Sequence, residues 1–321
     1  MTSGTVIGIL GPTGVGKTAV ATELARRLGT RIISCDSMQV YRGFPVLTNQ
    51  PSPQERAGVV HELVGVVEPA ADFSAAEYGR LARPLIEADL VRHGAALVVG
   101  GTGLYMRAAL APLAVSPAVD PEVRRRLEAR AAAEGPALLH RELAERDPVA
   151  AAAIDPRNLR RVVRALEVIA QTGTPWSGRD DLWRPRYFHP TLLTALVLDR
   201  GQLNARIDAR ARVIAEGGAV EEVRRFRESG VSAAHGLSKG VATAIGYSEV
   251  VRFLDGLQTL EETVEQIAAA TRRYARRQLT WLRKLGDLVI IDVHDRTPGA
   301  IVESILALVA SGEHVKEPQH P

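Results

Sequence analysis

Eight residues near the start of the chain, Gly11-Pro12-Thr13-Gly14-Val15-Gly16-Lys17-Thr18, are of the types that together hold a polyphosphate. Gly11, Gly16, Lys17 and Thr18 meet the phosphate-loop spacing G-x-x-x-x-G-K-[ST]. The glycines let successive backbone N–H groups turn inward on an anion. A helix that follows adds its unpaired first-turn donors and the positive end of its dipole. Lys17 supplies a mobile positive charge, and the Thr18 hydroxyl suits Mg²⁺. The loop does not say which anion it holds, because a nucleoside triphosphate and a prenyl diphosphate look alike to it.

Other residues offer further chemistry. Asp36 follows a β-branched run and could accept a proton or hold Mg²⁺; the plain alternative is a carboxylate that caps the next turn. Ser37 and Gln39 add hydrogen-bonding edges able to read a base. Thr102 stands between Gly101 and Gly103, which permit close backbone approach; its alternative is a surface threonine on a tight turn. Arg206 and Arg210 lie four apart and share one helix face, aimed either at the phosphate site or at water. Arg272, Arg273, Arg276, Arg277, Arg283 and Lys284, with Gln278 and Trp281 among them, make a basic helix suited to phosphate contacts and stacking, or simply a solvated one. Arg160, Arg161 and Arg164 open another helix. No His/Cys set has metal-ligand spacing, so no structural zinc is expected. Cys35, Tyr41 and Tyr105 read as packing residues.

The elements that must position these groups follow from the pattern. Thr5–Leu10 reads as a buried strand and Thr18–Leu28 as a helix closed by Gly29. Arg31–Cys35 is a second strand with Asp36 at its carboxyl end, where open α/β sheets place their chemistry. Glu62–Val67 is a short strand, Ser74–His93 a helix, and Ala95–Val99 a strand running into Gly100-Gly-Thr-Gly103. From about Pro112 to Pro190 the pattern shows no strand. Helices are expected there over Pro121–Glu134, Pro136–Arg146 and Pro156–Gln171. Leu192–Leu198 resumes the sheet. Helices follow over Gln202–Glu216, Val220–Glu228, Val241–Leu254 and Leu260–Leu285, then a strand at Leu288–Ile291 and a helix ending near Ala310. The predicted fold is α/β: a P-loop NTPase-like parallel sheet with flanking helices and an all-helical insertion. Its core domain is 1–111 with 191–312, the insertion is 112–190, and 313–321 is a disordered tail.

Composition bounds the class. With 321 residues, 46% hydrophobic and 24% charged, the chain is a globular protein of one large domain with an insertion, or two domains. No apolar run is long enough to span a membrane. A single cysteine and no signal peptide favour the cytoplasm. The net charge of +3 does not by itself select nucleic acid, but 36 of the 40 basic residues are arginine, the side chain suited to phosphate forks.

Taken in order, Gly11–Thr18, Asp36-Ser-Met-Gln-Val-Tyr41, Gly100-Gly-Thr-Gly-Leu-Tyr105, Asn158–Val168 and Thr271-Arg-Arg-Tyr-Ala-Arg-Arg-Gln-Leu-Thr-Trp281 resemble the motifs of bacterial tRNA dimethylallyltransferases, the tRNA isopentenyltransferase family. The resemblance runs from about Val6 to Lys284. It implies transfer of a dimethylallyl group from dimethylallyl diphosphate to N6 of the adenosine 3′ of certain tRNA anticodons, with Mg²⁺ required. Residues 11–18, with Arg206 and Arg210, would hold the diphosphate, and Thr18 the metal. Asp36 would be the general base, with Thr102 at the reacting centre. Asp36, Ser37, Met38, Gln39 and Thr102 would meet the target base or its neighbours. Arg160, Arg161, Arg164, Arg276, Arg277, Gln278 and Trp281 would meet the tRNA, and a cytoplasmic monomer is expected. The chain departs from the family at Thr48-Asn-Gln-Pro51, which lacks a lysine, at His61-Glu62, where a His-His pair is usual, and at Val15. The competing readings are a phosphate-loop small-molecule or nucleoside kinase, a nucleotide-dependent RNA-binding switch, and a prenyltransferase acting on free adenine nucleotides.

Overall fold

The computed structural model describes residues 4–112, 120–177, 186–229 and 237–318. Six strands form one sheet: β1 (Thr5–Leu10), β2 (Ile32–Cys35), β3 (His61–Glu62), β4 (Ala95–Gly100), β5 (Thr191–Val197) and β6 (Val289–Asp292). Their spatial order is β3-β2-β4-β1-β5-β6, and every pairing is parallel. A parallel sheet is covered on both faces, which is why β1, β4 and β5 read as continuous apolar runs. Val6, Ile7, Ile9, Leu97 and Leu192 are all fully buried. The register pairs Leu10 with Gly100 across β1 and β4, and Cys35 with Gly100 across β2 and β4. Three chain ends carrying Gly11, Asp36 and Gly101 therefore leave the sheet side by side.

The helices Lys17–Leu28, Arg200–Ile214 and Pro298–Ser311 seal one core with the sheet, through Val20, Leu24, Leu203, Ile207, Ile301 and Ile305. A second core gathers under the turn after β2. There Val40, Tyr41, Phe44 and Leu47 pack with Val223 of helix Val220–Glu228, Tyr247 and Val250 of helix Tyr247–Leu254, and Ile267 of helix Leu260–Leu282. Buried Glu222 accepts the N–H groups of Val46 and Leu47 at 2.7 and 2.9 Å and fixes that turn.

The chain divides into two compact units, 1–112 with 185–321, and 113–184. In the second, helices Pro121–Glu134, Pro136–Arg146, Pro148–Ala153 and Leu159–Thr172 enclose Leu139, Leu143, Val162 and Leu166. Glu167 is fully buried there and accepts from Arg124 Nη2 at 2.9 Å and Arg164 Nη1 at 3.3 Å.

Several elements differ from the sequence reading, each for a local reason. The expected helix Val241–Leu254 is two, Lys239–Ala242 and Tyr247–Leu254, because Gly246 takes a left-handed φ of 97°. Helix Pro148–Ala153, not foreseen, is capped by the Asp147 carboxylate accepting from Ala150 N at 3.0 Å. The third insertion helix starts at Leu159, after Asn158 caps it, not at Pro156. Strand β3 spans only His61–Glu62; of the expected run, Val67 makes an isolated bridge to Tyr41. Residues 186–190 belong to the core unit rather than the insertion: Tyr187 is buried and hydrogen-bonded to Asp287, and Phe188 N donates to Leu110 O at 3.0 Å. Nor is 313–318 a free tail, since Lys316 exchanges two backbone hydrogen bonds with Thr191, at 2.8 and 2.9 Å. Residues 319–321 lie outside the described residues. No described helix is long and apolar enough to cross a membrane.

Candidate active site

The site is built at the carboxyl edge of the sheet. β1 delivers the loop 11–16, in which Gly14 and Gly16 have φ of 85° and 101°, values that only glycine adopts easily. Lys17 opens the next helix and curls back: its Nζ donates to the carbonyls of Gly11 and Pro12, both at 2.9 Å. Burial pulls the Lys17 ammonium down to about 8, and Arg210 adds to this, while the charge of Asp36 acts against it. A positive charge is thus stored beside an anion cradle at a cost in hydration.

β2 delivers Asp36. Its Oδ1 accepts from Met38 N at 2.8 Å and Gln39 N at 3.3 Å, so the carboxylate caps its own turn while still lining the cavity. The two readings of Asp36 are compatible, because the second carboxylate oxygen takes no part in the cap. Gln39 is engaged by Ser34 Oγ, which donates to its Oε1 at 3.2 Å, and it donates to Asn49 O at 2.6 Å. Met38 packs against the second core.

β4 delivers Thr102. Its Oγ1 accepts from Ser37 N at 3.2 Å, and its N–H donates to Cys35 O at 3.3 Å. Gly101 and Gly103 are glycine because helix Leu260–Leu282 lies on this turn. A Cβ on Gly101 would collide with the Gln278 amide, and one on Gly103 with the Trp281 ring. Gln278, 5% exposed, accepts from Thr13 N at 2.9 Å and donates to Gly101 O at 3.0 Å. One turn earlier, burial and the nearby Asp36 charge push the Tyr274 phenol up to about 12, with Thr102 acting in the opposite sense. Tyr274 is thus a neutral phenol against the Asp36 and Thr102 turns.

These turns enclose a cavity of about 190 Å³ lined by the phosphate loop, Thr18, Ser34, Asp36, Arg210 and Gln278. Arg206 Nη1 donates to Val15 O at 3.4 Å, and burial lowers the pKa of Arg210. Among the described residues no three His, Cys, Asp or Glu side chains gather into a cation cage. The hydroxyl of Thr18, completed by diphosphate oxygens and water, is a donor set that Mg²⁺ accepts.

The profile of the IPP transferase family matches residues 39–285, and that of the isopentenyl transferases matches residues 4–62. The chain belongs to the IPP transferase family. It is 44% identical over 293 residues to the tRNA dimethylallyltransferase of Thermomicrobium roseum, covering 90% of this chain and 86% of that one. With the enzyme of the same name from Geobacillus thermodenitrificans it shares 40% over 307 residues, 95% of this chain and 96% of that one. The full-length tRNA isopentenylpyrophosphate transferase of Bacillus halodurans superposes with a TM-score of 0.67 at 35% identity, over 96% of each chain. A eukaryotic dimethylallyltransferase crystallised acting on tRNA gives 0.82 at 26% identity, over 99% of this chain and 82% of that one.

In this IPP transferase, residues 11–18, Asp36–Gln39, Thr102, Arg206, Arg210, Gln278 and Trp281 come together within the core unit. Arg276 and Arg277 are exposed on the outer face of helix Leu260–Leu282, with the Arg277 guanidinium 5.5 Å from the Tyr274 ring. Arg160, Arg161 and Arg164 lie in the insertion unit, the first two exposed and the third bound to Glu167. The sequence reading passed over Tyr274, although its spacing of four from Gln278 on a helix put both on one face. It also passed over His61 as a site residue. His61 lines the cavity, its Nε2 is buried without a partner, and burial pulls its pKa down to about 4. Nothing in the local pattern of so short a strand marks that side chain.

Proposed function

We propose that this IPP transferase moves the dimethylallyl group of dimethylallyl diphosphate to N6 of the adenosine 3′-adjacent to the anticodon in tRNAs, giving N6-isopentenyladenosine. The observation that carries the reading is the Asp36 turn, which lines one cavity with the phosphate loop and is hydrogen-bonded through Ser37 N to Thr102. The named relatives support the macromolecular substrate.

The chemistry follows from the residues. The N6 lone pair is delocalised into the adenine ring and attacks weakly. As N6 bonds to the first carbon of the prenyl group, the carbon–oxygen bond to the diphosphate breaks. Asp36 takes a proton from N6 through its uncapped oxygen, and Thr102 holds the amine in line. The diphosphate leaves with growing charge, which the loop N–H groups, Lys17, Arg206 and Arg210 neutralise. Lys17 has to exchange the Gly11 and Pro12 carbonyls for the anion. Thr18 would hold Mg²⁺ against the donor, which supplies further charge neutralisation when bound. The base must leave its stack to reach this cavity, so flipping is expected. A tRNA substrate puts the enzyme in the cytoplasm. Since one chain supplies every group the reaction needs, a monomer suffices.

Mass analysis of nucleosides from tRNA incubated with the protein, dimethylallyl diphosphate and Mg²⁺ tests the reading. N6-isopentenyladenosine is expected. ATP consumption with unmodified tRNA would return the chain to the kinases.

A further inference from the structure

The strand register sets where the phosphate loop and the Thr102 turn begin, since Leu10 pairs with Gly100. It does not set how far apart their tips stand, because each tip is a glycine-rich turn with wide backbone freedom. One side chain spans the tips. Gln278 accepts from Thr13 N at 2.9 Å on the phosphate loop and donates to Gly101 O at 3.0 Å beside Thr102. Its amide is buried, and both its ends are used inside the protein. That leaves little of it to offer a tRNA, which is the role the sequence had suggested. Trp281, three residues on, presses on Gly103 and holds the same turn from the other side.

We propose that Gln278 is a positioning residue that fixes the separation of the donor loop from the Thr102 turn. It thereby fixes the distance between the prenyl carbon and the attacking amine. The proposal rests on the transfer reaction argued above. Gln278 lines the cavity with both ends of its amide already bonded within the protein, and it acts through Thr13 and Gly101. Its loss should lower the rate with both substrates saturating and leave tRNA affinity alone. A displacement of about 1 Å is enough for a loss of about 10²-fold.

The experiment is single-turnover transfer at saturating donor and tRNA, with tRNA affinity and thermal midpoint measured on the same proteins. Gln278→Ala removes the bridge. Gly101→Ala pushes on it from the other side, because the new Cβ meets the amide. Each should slow the saturated step by about 10- to 10²-fold with tRNA affinity within about twofold of wild type. The double variant should be no slower than Gln278→Ala alone, since both changes act through one contact. Should Gln278→Ala not fold, Gln278→Glu keeps the acceptor for Thr13 and turns an oxygen instead of a donor on the Gly101 carbonyl; the same slowing is expected, with the midpoint lowered by the buried carboxylate. An unchanged saturated rate overturns the proposal, as do losses that multiply in the double variant. Weakened tRNA binding at a normal rate overturns it in favour of direct tRNA contact. Absence of transfer by the wild type in this assay removes the reaction itself and this role with it.

Discussion

The hydroxyl oxygen of Thr102 accepts the backbone N–H of Ser37 at 3.2 Å. That bond joins the turns after β2 and β4, so Asp36 and Thr102 sit on turns tied directly to each other. It also makes Asp36 testable with little disturbance, because only one carboxylate oxygen is committed to the turn.

Asp36→Asn keeps the size of the side chain and the acceptor for Met38 N, and removes the basic oxygen. The expected result is single-turnover transfer slowed by about 10²- to 10⁴-fold, with donor and tRNA binding retained. A Mg²⁺ series separates this from a metal role. Recovery at high Mg²⁺ would mean that Asp36 anchors the cation, since mass action restores weak binding.

Lys17 predicts a pH dependence of donor affinity. Its pKa is about 8 without the donor, and a bound diphosphate raises it by favouring the ammonium. The charged form therefore predominates below about pH 7 and is lost from the free protein as pH rises through 8. Affinity should be flat from pH 6.5 to 7.5 and fall up to about tenfold per unit above 8. Calorimetry in buffers of different ionisation enthalpy would show proton uptake on binding at pH 9, and an affinity that stays flat from about pH 8 to 9.5 would remove Lys17 as the titrating group.

Arg276 and Arg277 are exposed, so their removal should not unfold the protein. The Arg276→Ala, Arg277→Ala double variant should bind tRNA more weakly and lower the slope of log affinity against log salt by about 2. Donor affinity should be unchanged. An unaltered salt slope would leave that helix face to solvent.

The arginines of the insertion should separate by role. Glu167 is buried between Arg124 and Arg164, which are partly exposed, so Glu167→Ala should cost about 2 kcal/mol of stability through its lost charged hydrogen bonds, read by thermal unfolding of the whole chain. Arg164→Ala should act in the same direction, more weakly, because Arg124 remains. Arg160→Ala should leave the midpoint in place and weaken tRNA binding. The reverse pattern would exchange their assignments.

The placement of the phosphate loop, Asp36 and Thr102 beyond the ends of β1, β2 and β4 was legible in the sequence because each follows an apolar strand and its motif is local. The reason for the glycines around Thr102 was not. Gly101 and Gly103 suggested close backbone approach without saying by what, and the approaching groups are Gln278 and Trp281 of a helix far along the chain. The Arg164–Glu167 pair was not legible for a related cause: a run of arginines on one helix does not reveal which of them turns inward to a buried carboxylate. Helix limits went astray where single side chains intervene, as with the Asn158 cap and the left-handed Gly246.

Thr13 and Gln278 are hydrogen-bonded across 265 residues of sequence. During synthesis at about 5–20 residues per second, the donor loop therefore waits roughly ten to fifty seconds for the amide that completes it. The first third of a nascent chain already carries the loop, Asp36 and Thr102, yet the side chain that bonds both Thr13 and Gly101 is made only with the last long helix.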